Sequence, residues 1–492
     1  MKTYHPKIEV KLIKGILRKD IIDGLPVNAE RYQDLYTIDL TRWLGEGGGV
    51  KMSKSVREVA GGFTIVLADS AMTRYMESIY ALIEPMDVIE IRMAHDPSST
   101  KVKGVLPIVM RGFVSSIRRS MAMGADGRPA RSVTVMGQDY GKILQILQIF
   151  YLNNSVIGDN VVATFKLFEQ FNVSAKVMSA STFLSEVTSK ILNPYLQKVM
   201  KNGNNALEPA GIIGNFTLKS SIEGNVNRVG VQSYAGGSVS NLLSQFCDVG
   251  AFNEMYVEDT ETDVLLVVRP APFESVRGNA IQANATAAKY TVKIADFMSI
   301  NSSRSDAGVA NYYWVGNTAF NLMNDGTARM MAQTGNKDDY VLFDYPNSAA
   351  NIYGIRKMEI ESHLGGPEVS SGDAEPKSNG LEQQGKMLTW IDKRRKILAE
   401  SNKDNVVFEQ GSIRMFGDEN IKAGMSLICS AAAADDSWGC YVTAVEHEFI
   451  PYQGMFTTVQ FERGTEFIRR AQRAQGSTYY LSETEIGGIV GA

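Results

Sequence analysis

The sequence predicts a mainly β fold with an α+β middle: two antiparallel β-barrel domains joined by a mixed helical and β region. Short runs rich in Val, Ile and Phe, each bounded by Gly, Pro, Asp or Asn, fill both ends of the chain and are typical of strands. Between the two ends the apolar residues recur at helical spacing. The 492 residues are enough for two to four domains with cores of their own.

The first predicted domain covers residues 1–138. Its strand candidates are 7–13, 35–41, 61–68, 86–93, 106–119 and 130–137. Between residues 69 and 84 the period changes, because four apolar residues recur at helical spacing: Met72, Tyr75, Met76 and Ile79. We therefore predict a helix that crosses between two strands of a small barrel.

The predicted middle region, residues 139–285, holds most of the helices. Residues 139–200 have a helical pattern, which is clearest at 181–200. A further helix, which Ser238 or Ser240 can cap, has one apolar face: Val239, Leu242, Leu243 and Phe246. The segment "FNEMYVEDTETDVLLVVR" then predicts a β-hairpin with a polar turn.

Residues 286–463 are predicted to form the second barrel, with an insertion at 321–349 and a loop followed by a helix at 364–400. The two β-rich ends have a similar make-up, which suggests that they are structural repeats. Residues 464–492 follow as a C-terminal helix and an extended arm.

The stretch "YVTAVEHEFIPYQGMFTTVQFER" (441–463) looks most like an active site, because His447 lies between Glu446 and Glu448. In a strand, neighbouring side chains point to opposite faces. His447 therefore points away from both glutamates, and a catalytic pair would lack hydrogen-bond reach. We predict a structural hairpin here.

The register of this hairpin follows from its apolar faces. An odd loop of five residues, 450–454, places Val445 opposite Val459 and His447 opposite Thr457. Simple alternation also puts Tyr441 on the face of Val445.

Composition excludes several classes of function. A net charge of −4 and a pI of about 5.8 argue against a dedicated nucleic-acid binder. No apolar run is long enough for a membrane span, and the N-terminus lacks the apolar core of a secretory signal, so we expect synthesis in a cytoplasm. The sequence contains no nucleophile elbow, phosphate-binding loop or dinucleotide fingerprint, which predicts a protein that is not an enzyme.

We expect neither a metal nor a cofactor. The four histidines are scattered and lack the spacing of metal ligands: His5, His95, His363 and His447. The three cysteines form no CxxC pair and are predicted to be free thiols: Cys247, Cys429 and Cys440.

Two further segments suggest ligand binding at first sight. "LGEGGGVKMSKS" (44–55) lacks the order of a phosphate-binding loop and is predicted to be a flexible connection between strands. "KRRK" (393–396) is predicted to be a solvated helix end. Four arginines flank the predicted hairpin tip "MGADG", where contact with a neighbouring subunit or with solvent is favoured over nucleic acid: Arg118, Arg119, Arg128 and Arg131.

Six pieces of the chain, in this order, resemble the baseplate hub proteins of contractile-tailed bacteriophages, a family that includes the hub part of type VI secretion spike proteins. They cover most of residues 1–463 and are "SVTVMGQDYGKIL", "SNLLSQFCDVGAFNEMYVEDTETDVLLVVRP", "SINSSRSDAGVANYYWVGN", "YGIRKMEIES", "SIRMFGDENIKAGMSL" and "YVTAVEHEFIPYQGMFTTVQFER". The helix within 69–84, the 321–349 insertion and the 464–492 tail depart from the family pattern.

The resemblance implies a structural protein with two tail-tube-like barrels. Three chains would form a homotrimeric ring that adapts the sixfold tail tube to the threefold central spike and surrounds the DNA channel. The implied partners are other copies of the chain, the central spike protein, the tail tube protein and the baseplate wedge proteins, with the tape measure protein as a further candidate. The implied location is the virion tail baseplate, after assembly in the host bacterial cytoplasm.

The C-terminal segment supplies the candidate interface residues. Phe467 and Ile468 begin a basic helix, and Tyr479, Tyr480 and Leu481 would anchor the extended arm on a partner, a role in which aromatic residues are common. A disordered tail is the alternative.

Two other classes of function stay open at this point. A cell-wall-degrading tail enzyme would need a pocket with a positioned carboxylate. A tail-tip receptor-binding protein could use exposed aromatic clusters such as "NYYW" or "DDYVLFDY".

Overall fold

The fold is taken from a computed structural model of the chain. It describes the following residues: 5–14, 20–22, 25–27, 37–45, 48–69, 71–72, 77–100, 104–123, 129–149, 178–200, 213–226, 237–316, 345–366, 379–431 and 437–473. Over these residues the chain is mainly β with an α+β middle, which confirms the predicted fold class.

In its described residues the N-terminal end is built from strands and one short α-helix. The strands are β1 (Lys7–Ile13), β2 (Asp20–Ile22), β3 (Leu25–Val27), β4 (Thr37–Asp39), β5 (Gly49–Ser55), β6 (Gly62–Ala68), β7 (Ala71–Met72), β8 (Glu77–Ser78), β9 (Val88–Ala94), β10 (Ile108–Met123) and β11 (Pro129–Asp139), and the helix is α1 (Ile79–Leu82).

The middle of the chain is mixed. Its strands are β12 (Gln148–Ile149), β13 (Met178–Ser179), β14 (Phe216–Ser220), β15 (Asn225–Val226), β16 (Gly237–Ser238), β17 (Asn253–Asp259) and β18 (Val264–Pro270). Its helices are α2 (Gly141–Ile146), α3 (Ala180–Val187), which continues through a π-helical turn at Thr188–Leu192 into α4 (Asn193–Met200), and α5 (Val239–Phe246). The Ser238 hydroxyl caps α5 by accepting a hydrogen bond from the Asn241 backbone N–H.

The C-terminal end returns to strands. They are β19 (Lys289–Lys293), β20 (Phe297–Ser303), β21 (Tyr312–Gly316), β22 (Lys357–Glu361), β23 (Leu364–Gly365), β24 (Glu409–Phe416), β25 (Ser426–Ser430), β26 (Trp438–Ile450) and β27 (Gly454–Gly464). The helices are α6 (Ala350–Tyr353), α7 (Asn379–Asn402) and α8 (Glu466–Arg473).

Strands from both ends of the chain join one large sheet. Its order in the described residues is β20-β24-β27-β26-β5-β6-β11-β10-β9-β1-β4, with β25 and β19 attached to the first half of β26. The two ends meet where β26 pairs antiparallel with β5, from Ala444 opposite Ser55 to Phe449 opposite Val50. We call this pairing the β26–β5 junction.

The strands on either side of the junction repeat one topology. The second β unit (β20, β24, β27, β26) and the first β unit (β5, β6, β11, β10) each place their strands in the spatial order first, second, fourth, third along the chain. Each unit covers its own buried core, centred on Ile413 and Val459 in the second unit and on Ile65 and Val135 in the first. Met455 from β27 also enters the first core, so the two cores are linked.

The hairpin β17–β18 binds both ends of the chain through buried charges. The Lys54 Nζ on β5 lies 2.6 Å from the Asp259 Oδ2 on β17 and 3.3 Å from the Asp139 Oδ2 on β11. The Arg111 guanidinium on β10 donates to the backbone carbonyls of Thr260 and Glu261 at 2.6 and 2.9 Å. These contacts fix the hairpin turn against the first β unit.

The same hairpin is bound to the C-terminal end on its other side. The Tyr441 hydroxyl on β26 donates to both carboxylate oxygens of Glu254 at 2.6 and 2.7 Å. The Arg269 guanidinium donates to the Gly424 carbonyl at 2.6 Å. The middle region therefore holds the two β units together in addition to the β26–β5 junction.

The structure corrects two local predictions. The helix predicted within 69–84 is wrong in its first part, because Ala71–Met72 pairs with Glu77–Ser78 as strands, and among the described residues of this segment only Ile79–Leu82 is helical. Tyr441 does not share the face of Val445, because a bulge between Val442 and Ala444 shifts the register by one residue.

Lys54 provides a test of the buried charge cluster. Lys54→Met leaves Asp139 and Asp259 buried without their cation, so we expect the unfolding free energy at pH 8 to fall by about 3–5 kcal/mol. Burial raises the pKa of Asp139 to about 6 even beside Lys54, so protonation should reduce this loss at pH 5. Urea unfolding at both pH values measures the effect.

Lys51 on the same strand is the matched control. Its side chain is 54% exposed and pairs with Glu446, so Lys51→Met should cost about 1 kcal/mol or less. Equal losses for the two variants would contradict a structural role for the buried cluster.

Candidate assembly surfaces

The hairpin β10–β11 extends beyond the body of the sheet. The first residues of β10, Ile108–Phe113, pair with both β9 and β11, whereas Ser116–Met123 pair with β11 alone among the described strands. The described residues toward the end of β10 are exposed, including the apolar side chains of Met121 and Met123, which are 55% and 73% exposed. The outer edge of β10 thus presents backbone N–H and C=O groups that a further strand could bind.

A second free edge lies on β20, at one end of the sheet. β20 pairs with β24, and no other described strand pairs with it. Two of its apolar side chains, Met298 and Ile300, are 51% and 40% exposed, and the neighbouring Phe416 is exposed as well. Apolar side chains along an unpaired strand are typical of an interaction surface.

Eight consecutive strands connect these two edges: β20, β24, β27, β26, β5, β6, β11 and β10. The face of this sheet that points away from the two cores is polar near the junction. Ion pairs connect Lys51 to Glu446 at 3.0 Å and Arg414 to Glu448 at 3.1 Å, so they join strands across this face. A polar face of this kind tolerates contact with water.

His447 lies in the closing hairpin in the predicted register. Val445 is opposite Val459 and His447 is opposite Thr457, which confirms the prediction. The imidazole is 3% exposed, and its Nε2 lies 3.2 Å from the Ile421 carbonyl oxygen. Because a carbonyl can only accept, Nε2 carries the proton and Nδ1 accepts from the Thr457 hydroxyl at 3.0 Å.

Both ring nitrogens of His447 are thus used for structure. The flanking glutamates point to the other face, where they form the ion pairs with Lys51 and Arg414. Burial lowers the pKa of His447 to about 4, so the neutral ring is the stable form at pH 7.

The predicted interface residues fall into two groups. Ile468 is 2% exposed and packs with Val407 and Phe408, and Phe467 is half-buried in the same cluster. The Ile468 side chain therefore packs against residues of its own chain. Tyr479, Tyr480 and Leu481 lie outside the described residues, so their role as partner anchors stays a prediction.

The basic segment 393–396 is not a solvated helix end, which corrects the prediction. It lies inside the 24-residue helix α7, where Arg394 and Arg395 are buried. The Arg394 guanidinium lies between the rings of Trp390 and Phe252, at 4.4 and 4.7 Å from their centres. The charged guanidinium of Arg394 thus interacts with aromatic rings of its own chain.

The segment 44–55 is a strand in its second half, so the predicted flexible connection is wrong there. Gly49–Ser55 form β5, which carries the junction with β26. The alternation of buried Val50 and Met52 with exposed Lys51 and Ser53 is the signal in the sequence that the glycine run obscured.

The cysteines, the possible metal ligands and the helices of the described residues were also predicted from the sequence. The three cysteines are free and buried, as predicted. Within these ranges no three His, Cys, Asp or Glu side chains are grouped as metal ligands would be. No helix in the described part of the chain is long and apolar enough to cross a membrane.

Sequence reasoning missed the buried charge cluster and the Glu254–Tyr441 contact. Burial raises the pKa of Glu254 above its ordinary value, against the effect of Arg269 and Tyr441. The members of these clusters come from strands far apart in sequence. Only the long-range pairing of the strands brings them together.

No protein-family model and no curated protein matches this chain. Among solved structures it is similar to a tail protein from Neisseria meningitidis (TM-score 0.44, 9% identity, covering 95% of this chain and 99% of that one). It is also similar to the 43 kDa tail protein of prophage MuSo2 from Shewanella oneidensis (TM-score 0.42, 9% identity, 93% and 98% covered). A third is the prophage tail protein gp18 from Listeria monocytogenes (TM-score 0.40, 9% identity, 92% and 94% covered).

The pKa of His447 predicts how stability changes with pH. Its folded pKa lies below the ordinary 6.5, so the unfolded chain binds more protons between pH 6.5 and 4. The stabilisation is present above pH 6.5 and is lost as the pH falls to about 4, a loss of about 3 kcal/mol. His447→Gln keeps a donor for the Ile421 carbonyl but does not titrate, so its unfolding free energy should fall less over this range.

The control is His5→Gln, which removes an exposed histidine and is measured over the same pH range. Urea unfolding between pH 7.5 and 4.5 gives the slopes. The same slope for wild type and His447→Gln would show that His447 does not set this dependence.

Proposed function

We propose that this protein is the structural hub of a phage tail baseplate, a trimeric ring that adapts the sixfold tail tube to the threefold central spike around the DNA channel. The observation that carries the proposal is the eight-strand path from β20 to β10, which has an unpaired edge on β20 and another on Ser116–Met123 of β10 among the described strands. The resemblance of the six sequence pieces supports the assignment to a baseplate hub.

The two free edges belong to two different strands, β10 and β20, and this difference supports assembly into a ring. A contact between β10 of one copy and β20 of the next is head-to-tail, and head-to-tail contacts close into rings when the rotation allows. Closure would cover both edges of every copy, which removes the exposed strands that favour aggregation.

The repeated topology supports the change of symmetry. Each chain supplies two four-stranded units with the same strand order, so three chains supply six. A sixfold tube can contact six similar units, while the ring itself keeps only threefold symmetry. The threefold spike can then bind the ring with matching symmetry.

The size of the ring follows from the strand spacing. Three copies give a ring of 24 strands, from three times the eight strands of the path. At about 4.8 Å between strands the circumference is at least about 115 Å and the backbone diameter at least about 37 Å, and the tilt of strands in a closed barrel increases both. Since barrels of about 16–18 strands already enclose water-filled channels, this ring would leave an open channel.

Light scattering tests the assembly. We expect the full-length protein, alone or co-expressed with the central spike protein, to have the mass of a complex containing three copies. With the spike, three copies should accompany one spike trimer. A complex with any other ratio, or a chain that stays monomeric with the spike present, would refute the symmetry adapter.

Zymography on bacterial cell walls tests the proposal that the hub is not an enzyme. Purified protein should leave the peptidoglycan layer intact, while a lysozyme lane gives a clear band. Lysis by the purified protein would overturn this part of the proposal and favour a cell-wall-degrading tail enzyme.

A further inference from the structure

The two β units match in detail as well as in strand order. Both long hairpins have a bulge on their first strand, between Val442 and Ala444 in β26 and between Val114 and Ser116 in β10. When the two bulges are aligned, Thr443 of β26 is equivalent to Ser115 of β10. The observed pairings then carry this alignment from strand to strand across each unit.

Buried residues test the alignment independently. Through the strand pairing in each hairpin, the alignment makes Val459 equivalent to Val135, and both side chains are fully buried. Through the pairing with the next strand, Ile413 is equivalent to Ile65 and Met415 is equivalent to Leu67. The members of each pair are buried and similar in size. The two units are therefore equivalent residue by residue across these strands.

The β26–β5 junction has no counterpart within the described chain. In the junction, Phe449 on the outer edge of β26 lies opposite Val50 on the outer edge of β5. The equivalent strands in the opposite units are β10 and β20. Their equivalent edges, Ser116–Met123 of β10 and the outer side of β20, are covered by no described strand.

We propose that β10 of one copy pairs antiparallel with β20 of a second copy of this chain, in the register of the β26–β5 junction. Phe449 aligns with Met121, and the pairing of β20 with β24 aligns Val50 with Ile300. Met121 of one copy therefore lies opposite Ile300 of the next, and Arg118 lies opposite Ser303. This inference rests on the proposed function and specifies the contact that would close the ring.

The exposed apolar residues support this register. It places Met121 against Ile300 and brings Met123 close to Met298, which lies at a bulge in β20. All four side chains are exposed in the single chain. A shift by one residue would place each apolar side chain on the opposite face from its partner.

The charges on the two strands also fit. Arg118 and Arg119 near the outer edge of β10 would face Ser303 and Ser302, and β20, "FMSINSS", carries no charged residue. Like charges therefore do not meet in this pairing. In the β26–β5 junction the equivalent apolar pair is Phe449 and Val50: Val50 belongs to the first core, and Phe449 packs against that core.

A disulfide cross-link tests the register. Directly opposite residues in antiparallel strands have Cα atoms about 4.5–5.5 Å apart. This lies within the about 4.4–6.8 Å that a disulfide spans. Full-length protein carrying Met121→Cys and Ile300→Cys, assembled with the spike and treated with oxidised glutathione, should give covalent species of two and three copies and none larger. The three native cysteines are buried and remain in place.

The matched control moves one cysteine by a single residue. Ala122→Cys with Ile300→Cys puts the thiols on opposite faces, so we expect about tenfold less cross-linked product. Equal yields from the two pairs, or no product from the first pair, in a complex that still holds three copies would overturn the register and leave the proposed hub intact. Loss of the three-copy complex in the unsubstituted protein would overturn the hub itself.

Discussion

The pairing of β26 with β5 is the contact on which the rest of the fold depends. Its six residue pairs turn two separate β units into one sheet. The two strands lie near opposite ends of the chain, so their pairing must overcome the entropy of closing a very long loop. The hairpin β17–β18 helps because it is bound to both units, through Lys54 and Arg111 on one side and Tyr441 on the other.

The buried charges in this region define the geometry of the fold more than its stability. A buried ion pair contributes little net free energy, whereas a buried charge without its partner costs several kcal/mol. Any arrangement that moved β17 away from β5 would separate the buried Asp259 carboxylate from Lys54, its closest cation. Burial alone would lower the pKa of Lys54, but the two carboxylates raise it above its ordinary value, so the lysine remains charged. The cluster therefore favours one relative placement of the hairpin and the first β unit.

The sequence predicted the local structure well and the long-range contacts poorly. Strand β1, the helix at Val239–Phe246 and the register of the closing hairpin each depend on neighbours in the sequence, so periodicity and loop length were enough. The single-residue shift at Tyr441 was not predictable, because alternation carries no sign of a bulge. The burial of Arg394 depends on Phe252, far away in the chain, and "KRRK" alone looks like a solvated segment. The free edges of β10 and β20 were also missed. An edge is known only when the pairing of all neighbouring strands is known, and that pairing is long-range.

The free edges themselves argue for assembly. Proteins that remain single commonly protect an edge strand with a charge, a proline or a very short length. At one end of the sheet β4 has only three residues, which fits such protection. By contrast, β20 has seven residues, with neither a charge nor a proline, and two exposed apolar side chains. The repeat explains the difference, since the equivalent edge of β5 is already covered by β26 within the chain. A second copy that supplies β10 would give β20 the same cover, and every strand of both units would then have a neighbour on each side.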